Sequence, residues 1–412
     1  MRKVSLGINL GLLVLMLTAC SSLSPVSVST LATNNPIHTE EATATSSPLH
    51  TQQEPSPSPT PIVTEASLLA VGDIMVHSPQ LPAYYNAETK DYHFNAWFDQ
   101  VKQIFAEGDW VVGNLETPLA GEDLKYSGYP RFNAPAQLAE ALVNAGVNLV
   151  STANNHTMDR GFPGVERTLN NVKAAGLIPV GSAATKEESE QQVIVERNGI
   201  QMGFLAYSYG TNGIPVPADK PFAINLIDKD KIVSDIVALR ASGVDLVTVS
   251  LHFGNEYQRM PSDGQIDLAH SLVAAGADLI LGSHPHVVQP YDEIIIPADE
   301  SIDGTERRGL VIYSLGNFIS NQSGDWKDVG LIFGVTFTKT VEPDGTSRVE
   351  WHTVKTIPTW VHIFTKNKLR YYTVIPLEQA LTTRDDPTLT TEDYSNMEKK
   401  LASINEHLLR LQ

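Results

Sequence analysis

The sequence predicts a layered α/β fold, in which short buried strands form central sheets and helices cover those sheets. Short apolar runs alternate along the chain with stretches of helical spacing, and a glycine follows each of these stretches. Apolar runs of strand length are typical of strands buried on both faces, as in sheets built largely from parallel strands. With 412 residues, of which 42% are hydrophobic, the chain can bury one large core or two smaller ones.

Each element follows from a local pattern. Seven apolar runs are predicted strands: residues 67–71, 110–113, 147–152, 203–207, 246–251, 277–281 and 310–313. Four amphipathic stretches are predicted crossover helices: residues 137–144, 165–175, 232–239 and 266–274. Their closing glycines are Gly146, Gly176, Gly243 and Gly276.

Residues 323–412 are predicted to form a C-terminal extension that packs on the core. Residues 329–338 alternate apolar and polar side chains like an edge strand, and a turn at 342–345 links them to a second strand at 348–354. A further strand is predicted at 366–375. The spacing of apolar residues predicts a helix over 392–411.

The N-terminal residues are predicted to direct the chain out of the cytoplasm. Residues 1–19 combine a basic start with a short apolar run, which is typical of a signal peptide, and the segment ending at Cys20 resembles a lipoprotein cleavage site. Cys20 would then be lipidated, although an uncleaved apolar anchor is the alternative. Residues 20–65, rich in Ser, Thr and Pro, predict a disordered linker. The expected location is extracytoplasmic, with a lipid anchor in the bacterial cell membrane.

Composition limits the possible partners and chemistry. The formal net charge of −18 argues against binding to nucleic acid, and an anionic substrate would need local attraction by a metal ion or a few basic side chains. Cys20 is the only cysteine, so no internal disulfide forms and no second thiolate serves as a nucleophile or ligand. Any chemistry must therefore use His, Asp, Glu and Asn.

Polar side chains with metal-binding capacity follow the predicted strands at their carboxyl ends, where ligand sites gather in such sheets. They are Asp73, Asn114, Glu116, Asn155, His156, Asp159, His252, His284, His286 and Asn317. Each one alone is explained as well by a turn, a cap or a core position. A buried cluster of carboxylates and imidazoles is costly without a metal, so together they predict a metal centre, and their number suggests two ions bridged by a carboxylate.

Six segments resemble, in order, the motifs of bacterial capsule-synthesis proteins of the CapA type, a family associated with poly-γ-glutamate and built on the calcineurin-like metallophosphoesterase fold. They are Gly72-Asp-Ile-Met75, Asn114-Leu-Glu116, Asn154-Asn-His156 with Asp159 and Gly161, His252-Phe-Gly-Asn-Glu-Tyr257, Gly282-Ser-His-Pro-His-Val287 with Gln289, and Ser314-Leu-Gly-Asn-Phe318. The resemblance covers residues 66–322 and implies a metallophosphoesterase-like sandwich with flanking helices.

The resemblance also implies roles for individual residues. The implied ligands of two divalent ions, which mixed N and O donors do not identify as manganese, iron or zinc, are Asp73, Glu116, Asn155, His252, His284 and His286. Glu116 is the expected bridge, and His156 the expected proton donor. Asp159 either orients His156 or caps the following helix, and the three-residue separation slightly favours the cap. The residues expected to contact substrate are Arg131, Asn114, Glu256 and Asn317.

Some positions depart from the superfamily pattern or leave two interpretations open. Met75 stands where the wider superfamily has a ligand histidine, which leaves one metal position in question, and His77 is a possible substitute or a surface loop residue. Arg131 and Arg259 lie in loops after ligand-bearing strands, where each is either an anion-binding group or a solvated side chain. Three tyrosines of these loops are either pocket walls or core residues: Tyr126, Tyr129 and Tyr257.

Two functions from different classes follow. The first is a lipid-anchored, metal-dependent hydrolase or transferase that acts on a phosphoester or a poly-γ-glutamate-type anionic polymer. The second is a non-catalytic partner that uses the same pocket to bind the polymer and assist its export, together with other capsule-synthesis membrane proteins. His156 favours the first, because a pure binding site needs no proton donor.

Overall fold

A computed structural model describes residues 60–412 of the protein. The predicted signal peptide, the lipidation of Cys20 and the linker up to residue 59 lie outside the described residues. The first strand begins at Ile62, four residues inside the segment predicted as linker, because residues 62–65 pair with residues 338–341 of a later strand. Within residues 60–412, no helix has the length and apolar character needed to cross a membrane.

The described chain contains sixteen strands and eight α-helices. The strands are β1 Ile62–Ile74, β2 Tyr85–Asn86, β3 Asp91–Tyr92, β4 Trp110–Leu115, β5 Leu149–Ser151, β6 Ile178–Val180, β7 Val193–Arg197, β8 Ile200–Ser208, β9 Leu246–His252, β10 Leu279–Ser283, β11 Tyr291–Ile296, β12 Arg307–Ile312, β13 Asn317–Ile319, β14 Val329–Val341, β15 Ser347–Lys366 and β16 Leu369–Pro376. The helices are α1 Lys102–Phe105, α2 Gln137–Ala145, α3 Gly161–Ala175, α4 Lys186–Ser189, α5 Lys229–Ala241, α6 Asp263–Ala275, α7 Leu377–Thr383 and α8 Thr391–Leu408.

The strands form two main sheets. In the first sheet the order is β16-β15-β14-β1-β4-β5-β6, with β13 paired to the end of β1, and in the second it is β11-β12-β10-β9-β8-β7. Strands β1, β4, β5 and β6 run parallel, as do β8, β9, β10 and β12. The carboxyl ends of each parallel set therefore lie at one edge of its sheet.

Alternation along each strand divides the core into layers. On β1, Leu68 and Ala70 pack between the two sheets, whereas Leu69 and Val71 pack into the outer layer that contains α2. On β10, Leu279 and Leu281 face the same central layer, and Ile280 packs with α5 and α6 on the far side. Because successive strand side chains point to opposite faces, each buried strand serves two apolar layers. The predicted α/β sandwich with flanking helices is confirmed.

The predicted crossover helices and their ends are confirmed as well. Gly146, Gly176 and Gly276 end α2, α3 and α6 with φ values of +111°, +100° and +115°, a conformation that costs glycine little. Ser262 caps the start of α6, and its hydroxyl accepts a hydrogen bond from the Gln265 backbone N–H. These short helices return the chain from the carboxyl end of one strand to the start of the next.

The C-terminal residues extend the first sheet. The hairpin of β14 and β15, the further strand β16 and the helix α8 are confirmed. The prediction that residues 329–338 form an edge strand is wrong, because β14 lies between β1 and β15 and pairs with both. Helix α8 places Ile404 and Leu408 against the layer between the sheets.

Candidate metal centre

The strand ends of the two sheets meet in one buried cluster. Asp73 at the end of β1 pairs in register with Asn114 of β4 on one side and Asn317 of β13 on the other. In the second sheet, His252 of β9 pairs with Ser283 of β10, directly before His284. The parallel arrangement therefore brings the predicted donors of both sheets to the same place.

Glu116 is fully buried in this cluster, beside the imidazoles of His252 and His286. Its side chain is 0% exposed, and neither carboxylate oxygen has a hydrogen-bond partner among residues 60–412. The Nε2 atoms of His252 and His286 lie 3.5 Å and 4.0 Å from its Oε1. A buried carboxylate without compensation carries a large desolvation cost, so this position calls for a cation.

His286 is oriented by two acceptors on one ring nitrogen. Its Nδ1 lies 3.0 Å from Asp73 Oδ2 and 3.1 Å from Asn317 Oδ1. Both atoms accept hydrogen bonds, so Nδ1 carries the ring proton and Nε2 keeps its lone pair. Nε2 is the nitrogen on the Glu116 side, as a metal ligand requires.

His252 and Asn155 meet above the same carboxylate. The Nε2 atom of His252 lies 3.2 Å from Asn155 Oδ1, and its Nδ1 lies 3.2 Å from Asn114 Nδ2 and 3.3 Å from Ser283 Oγ. Because Asn114 Nδ2 can only donate, Nδ1 of His252 accepts its hydrogen bond and Nε2 donates the ring proton to Asn155 Oδ1. A cation at Nε2 would require the other tautomer, in which the ring proton lies on Nδ1 and the Ser283 hydroxyl accepts it.

His284 is held in an unusual backbone conformation. Its φ is +100°, and that of His286 is +58°, values that side-chain-bearing residues rarely adopt. The Nδ1 atom of His284 is buried and has no hydrogen-bond partner among residues 60–412. Strained backbone and unpartnered buried donors together mark a functional site.

Three groups of side chains in the described chain have ligand atoms that all lie within 4.8 Å of one another. They are Asp73 with Glu116 and His286, Glu116 with His252 and His284, and Glu256 with His284 and His286. The first two groups share Glu116. The predicted metal-ligating residues are thus brought together, and Asn155 Oδ1 adjoins the second group through His252.

The electrostatics of the cluster suit a cation. Burial, followed by the charge of Asp73, raises the pKa of Glu116 well above its usual value. Burial, and then the neighbouring imidazoles, lowers the pKa of His252 well below its usual value and that of His284 to about 4. The imidazoles of His252 and His284 are therefore neutral at pH 7, as metal binding requires, and the donor set fits a metal site.

His156 and Asp159 form a buried pair beside the cluster. The Nδ1 atom of His156 lies 2.7 Å from Asp159 Oδ2, which also accepts a hydrogen bond of 2.6 Å from the Phe132 backbone N–H. The interpretation of Asp159 as a helix cap is wrong, since α3 begins at Gly161 and no side chain caps it. Asp159 orients the imidazole of His156.

The residues predicted to contact substrate occupy different places. Asn114 and Asn317 are buried and hold Asp73 and His286, so they support the donors instead of facing the pocket. Arg131 and Glu256 are exposed. The guanidinium of Arg259 already has partners, because it forms an ion pair with Asp325 and stacks 4.1 Å over the ring of Trp326.

Met75, which departs from the superfamily pattern, and His77, its possible substitute, lie outside the three donor groups. Met75 is buried, and a thioether is a weak ligand for hard divalent ions. His77 is partly buried, accepts a hydrogen bond of 3.3 Å from the Asn321 backbone N–H, and packs edge-on to Phe132. His77 therefore has a structural place and does not belong to any of the three groups.

Tyr209 is a site residue that the sequence did not reveal. Its ring lies 4.5 Å from that of His284, and its hydroxyl lies 3.4 Å from both Asn155 Nδ2 and Asn212 Oδ1. The side chain is 48% exposed, so it forms part of the mouth of the cluster. The available signal was its position directly after β8, at the same sheet edge as His252.

Comparisons with known proteins point to one family. A family model described as bacterial capsule synthesis protein PGA_cap matches residues 67–322. The chain is 30% identical to "Capsule biosynthesis protein CapA" of Bacillus anthracis, over 62% of this chain and 60% of that protein. It is 29% identical to "PGA biosynthesis protein CapA" of Bacillus subtilis, over 61% and 62%. The chain thus spans about 60% of the length of these curated relatives.

Solved structures of low identity also resemble the chain. The calcineurin-like phosphoesterase YfkN from Bacillus subtilis matches 83% of this chain and 98% of its own at 14% identity, with a TM-score of 0.39. The NAD nucleotidase of Haemophilus influenzae matches 84% and 68% at 12% identity, with a TM-score of 0.43. The family model matches more than half of the chain and includes every strand end that contributes to the cluster, and the protein therefore belongs to the bacterial capsule synthesis PGA_cap family.

Proposed function

We propose that the protein is a metal-dependent hydrolase or transferase of capsule assembly, which acts on a phosphoester or a poly-γ-glutamate-type anionic polymer. The observation that carries this proposal is the fully buried, unpartnered carboxylate of Glu116, which two donor groups share. Two divalent ions bridged by Glu116 would balance its charge and that of Asp73. Manganese, iron and zinc all accept this mixture of imidazole and oxygen donors.

The side chains beside the metal centre supply the remaining chemistry. Divalent ions in such a site supply Lewis acidity, which acidifies water and offsets negative charge on the substrate. Asp159 accepts the Nδ1 proton of His156, so Nε2 is the ring nitrogen left for proton transfer. A ring protonated on both nitrogens would give its Nε2 proton to a leaving group and would keep the Nδ1 proton on the Asp159 side. The pair is buried, and its hydrogen bond is therefore little weakened by water.

A second candidate is a non-catalytic module that binds the polymer through the same metal centre. Three exposed aromatic side chains favour it, because Tyr129, Tyr209 and Tyr257 are 77%, 48% and 45% exposed. Tyr129 and Tyr257 lie in loops after the donor-bearing strands β4 and β9, and the ring of Tyr209 lies 4.5 Å from that of His284. Aromatic rings offer apolar faces to the methylene groups of a polymer. Met75 in place of a ligand histidine also reduces the donor set on which turnover depends.

One experiment separates these functions. The full chain is purified without chelators, its metal content is measured by elemental mass spectrometry, and hydrolysis of phosphoesters and of poly-γ-glutamate is assayed beside polymer binding. Turnover that falls at least a hundredfold in His156→Ala, while metal content is kept, supports the enzyme. Metal-dependent polymer binding without turnover supports the binding module. A chain that takes up no metal after supplementation refutes both.

The location and partners belong to the same proposal. We place the protein outside the cytoplasmic membrane, held by a lipid on Cys20, where it meets the polymer and other capsule-synthesis membrane proteins. Two acyl chains hold a protein stably on a bilayer, whereas one chain gives marginal binding. Cys20→Ala should therefore shift the protein out of the membrane fraction and abolish incorporation of labelled fatty acid. Retention of both properties would contradict the anchor.

A further inference from the structure

We infer that Glu256 is a metal ligand that completes the metal centre from its solvent side. The inference rests on the proposed metal-dependent function and deepens it. The sequence predicts Glu256 as a substrate contact, but its carboxylate oxygen and one ring nitrogen each of His284 and His286 lie within 4.8 Å of one another. Two imidazoles and a carboxylate form a common donor set for divalent transition metals.

The position of Glu256 relative to the other donors supports this role. Its group shares His286 with the donor group of Asp73 and shares His284 with that of His252. Glu116 belongs to the groups of Asp73 and of His252 and is 0% exposed. Glu256 is the only exposed residue in the three groups. The two carboxylates therefore approach the imidazoles from the interior and from solvent.

The number of donors shows what Glu256 would add. The group of Glu116, His252 and His284 gains a fourth protein donor in the Asn155 oxygen, 3.2 Å from His252 Nε2. The group of Asp73, Glu116 and His286 has three, and Met75, two residues after Asp73, offers only a thioether, which is a weak ligand for hard divalent ions. A carboxylate oxygen of Glu256 lies within 4.8 Å of a ring nitrogen of His286 and would supply this group with a fourth protein donor.

The loop that carries Glu256 is fixed to the turn that carries the two histidines. The Tyr257 backbone N–H donates a hydrogen bond of 2.7 Å to the carbonyl of Pro285, which lies between His284 and His286 in the chain. Tyr257 takes a φ of +66° at this point, and Gly254 one of +96°. This conformation costs glycine little, whereas Tyr257 is strained where its N–H holds the loop to the histidine turn.

Charge also favours a ligand over a substrate contact. A carboxylate beside the pocket repels a phosphoester or a polyglutamate, so Glu256 opposes an anionic substrate unless a cation lies between them. As a ligand it lowers the net charge of a dinuclear centre, and its exposure allows its side chain to adjust to the ion. The position of Glu256 and the sign of its charge therefore both favour a role as a metal ligand over a role as a substrate contact.

The test measures metal binding directly, without an activity assay. The full chain is stripped of metal and titrated with Mn²⁺, with calorimetry for affinity and electron paramagnetic resonance for spin coupling between the ions. Glu256→Gln should weaken one of two binding steps by about tenfold to a hundredfold and leave the other unchanged. Glu256→Asp, which keeps the carboxylate, should recover part of the loss.

A matched control and the metal content of the wild type distinguish a failure of the Glu256 assignment from a failure of the proposed function. Glu196→Gln removes an exposed carboxylate from β7, far from the carboxyl end of β8, and should bind Mn²⁺ as the wild type does. Unchanged stability of metal-free Glu256→Gln shows that the variant folds. If the wild type binds two ions and Glu256→Gln binds both equally well, only the inference fails. If the wild type binds none, the proposed function fails with it.

Discussion

Replacement of Glu116 by glutamine should separate the two effects of this side chain on stability. In the metal-free protein, the carboxylate is buried without a hydrogen-bond partner among residues 60–412 and lies close to Asp73. Glutamine keeps the shape and removes the charge. We therefore expect metal-free Glu116→Gln to be at least as stable as the metal-free wild type at pH 7, although a buried residue of the site has been changed.

With metal bound, the wild type should be more stable than Glu116→Gln. Each ion present at a hundred times its dissociation constant stabilises the folded state by about 2.7 kcal/mol, so two ions contribute about 5 kcal/mol. An unfolding entropy of about 2.1 cal/mol/K per residue makes this a rise of roughly 7 °C in Tm for a domain of about 350 residues. Because Glu116 belongs to both donor groups, Glu116→Gln should lose most of that rise.

The pH dependence gives the prediction a second readout. The pKa of Glu116 is raised in the folded state by burial and then by Asp73, so the folded state holds the proton more tightly than the unfolded chain does. Metal-free wild type should therefore lose stability as the pH rises above the ordinary value of 4.5 toward the folded pKa. Glu116→Gln lacks this loss, and the two proteins should converge in stability as the pH falls to 4.5.

The assay is thermal unfolding with and without Mn²⁺ at several pH values. Glu140→Gln, an exposed carboxylate on α2, is the matched control and should keep the full rise in Tm. The reasoning would be refuted by a Glu116→Gln protein that gains the wild-type rise with metal. It would be refuted equally by a metal-free variant several degrees less stable than the wild type, which would mean that the carboxylate is compensated without a cation.

Three further predictions test the surroundings of the site. Asp159→Asn should keep metal content and lower turnover at least tenfold with an altered pH–rate profile, because the amide no longer fixes the imidazole of His156; an unchanged profile would contradict this. In metal-free protein, the imidazole of His284 should titrate by NMR near its pKa of about 4, because burial and then His286 disfavour its charged form. The free energy of unfolding should fall as the pH drops from 6.5 toward 4. An NMR midpoint near 6.5 would contradict the burial of this side chain. Gly72→Ala should lower the free energy of unfolding, measured by denaturant titration, by at least about 1–3 kcal/mol, because its Cβ would lie 1.9 Å from the carbonyl oxygen of Gly316. The control Gly264→Ala on α6 places its Cβ in open space and should not destabilise the protein.

The sequence predicts that the candidate donors lie close together because strand direction alone brings their positions to one edge of each sheet. An apolar run shows where a strand lies, and parallel strands bring their carboxyl ends together, so Asp73 and His252 are predicted near each other although 179 positions separate them. No side-chain geometry is needed for that step. The same rule explains why the donor groups contain most of the predicted ligands.

Strand direction does not predict contacts within turns or the pairing of strands that lie far apart in the sequence. The pair of His156 and Asp159 depends on the irregular turn before α3, where a three-residue separation does not fix a distance. The place of β14 inside the sheet depends on its pairing with β1, more than 250 residues earlier in the chain. Tyr209 was missed because an aromatic residue after a strand is usually a core residue, and only the loop geometry turns it toward His284.

The backbone around the cluster shows that the donors are held in place by the fold itself. Gly72 and Gly282 approach carbonyl oxygens of Gly316 and Tyr313 so closely that a Cβ would lie 1.9 Å from each. His284 and its neighbour two residues later add left-handed backbone, which costs of order 1–3 kcal/mol for each residue. A site that formed only around an ion would not need a rigid strained backbone, because the ion would gather flexible side chains. The left-handed residues lie after β10 of the second sheet, and close backbone approaches occur at the ends of both β1 and β10. This arrangement favours a centre whose geometry is set before a cation or substrate arrives.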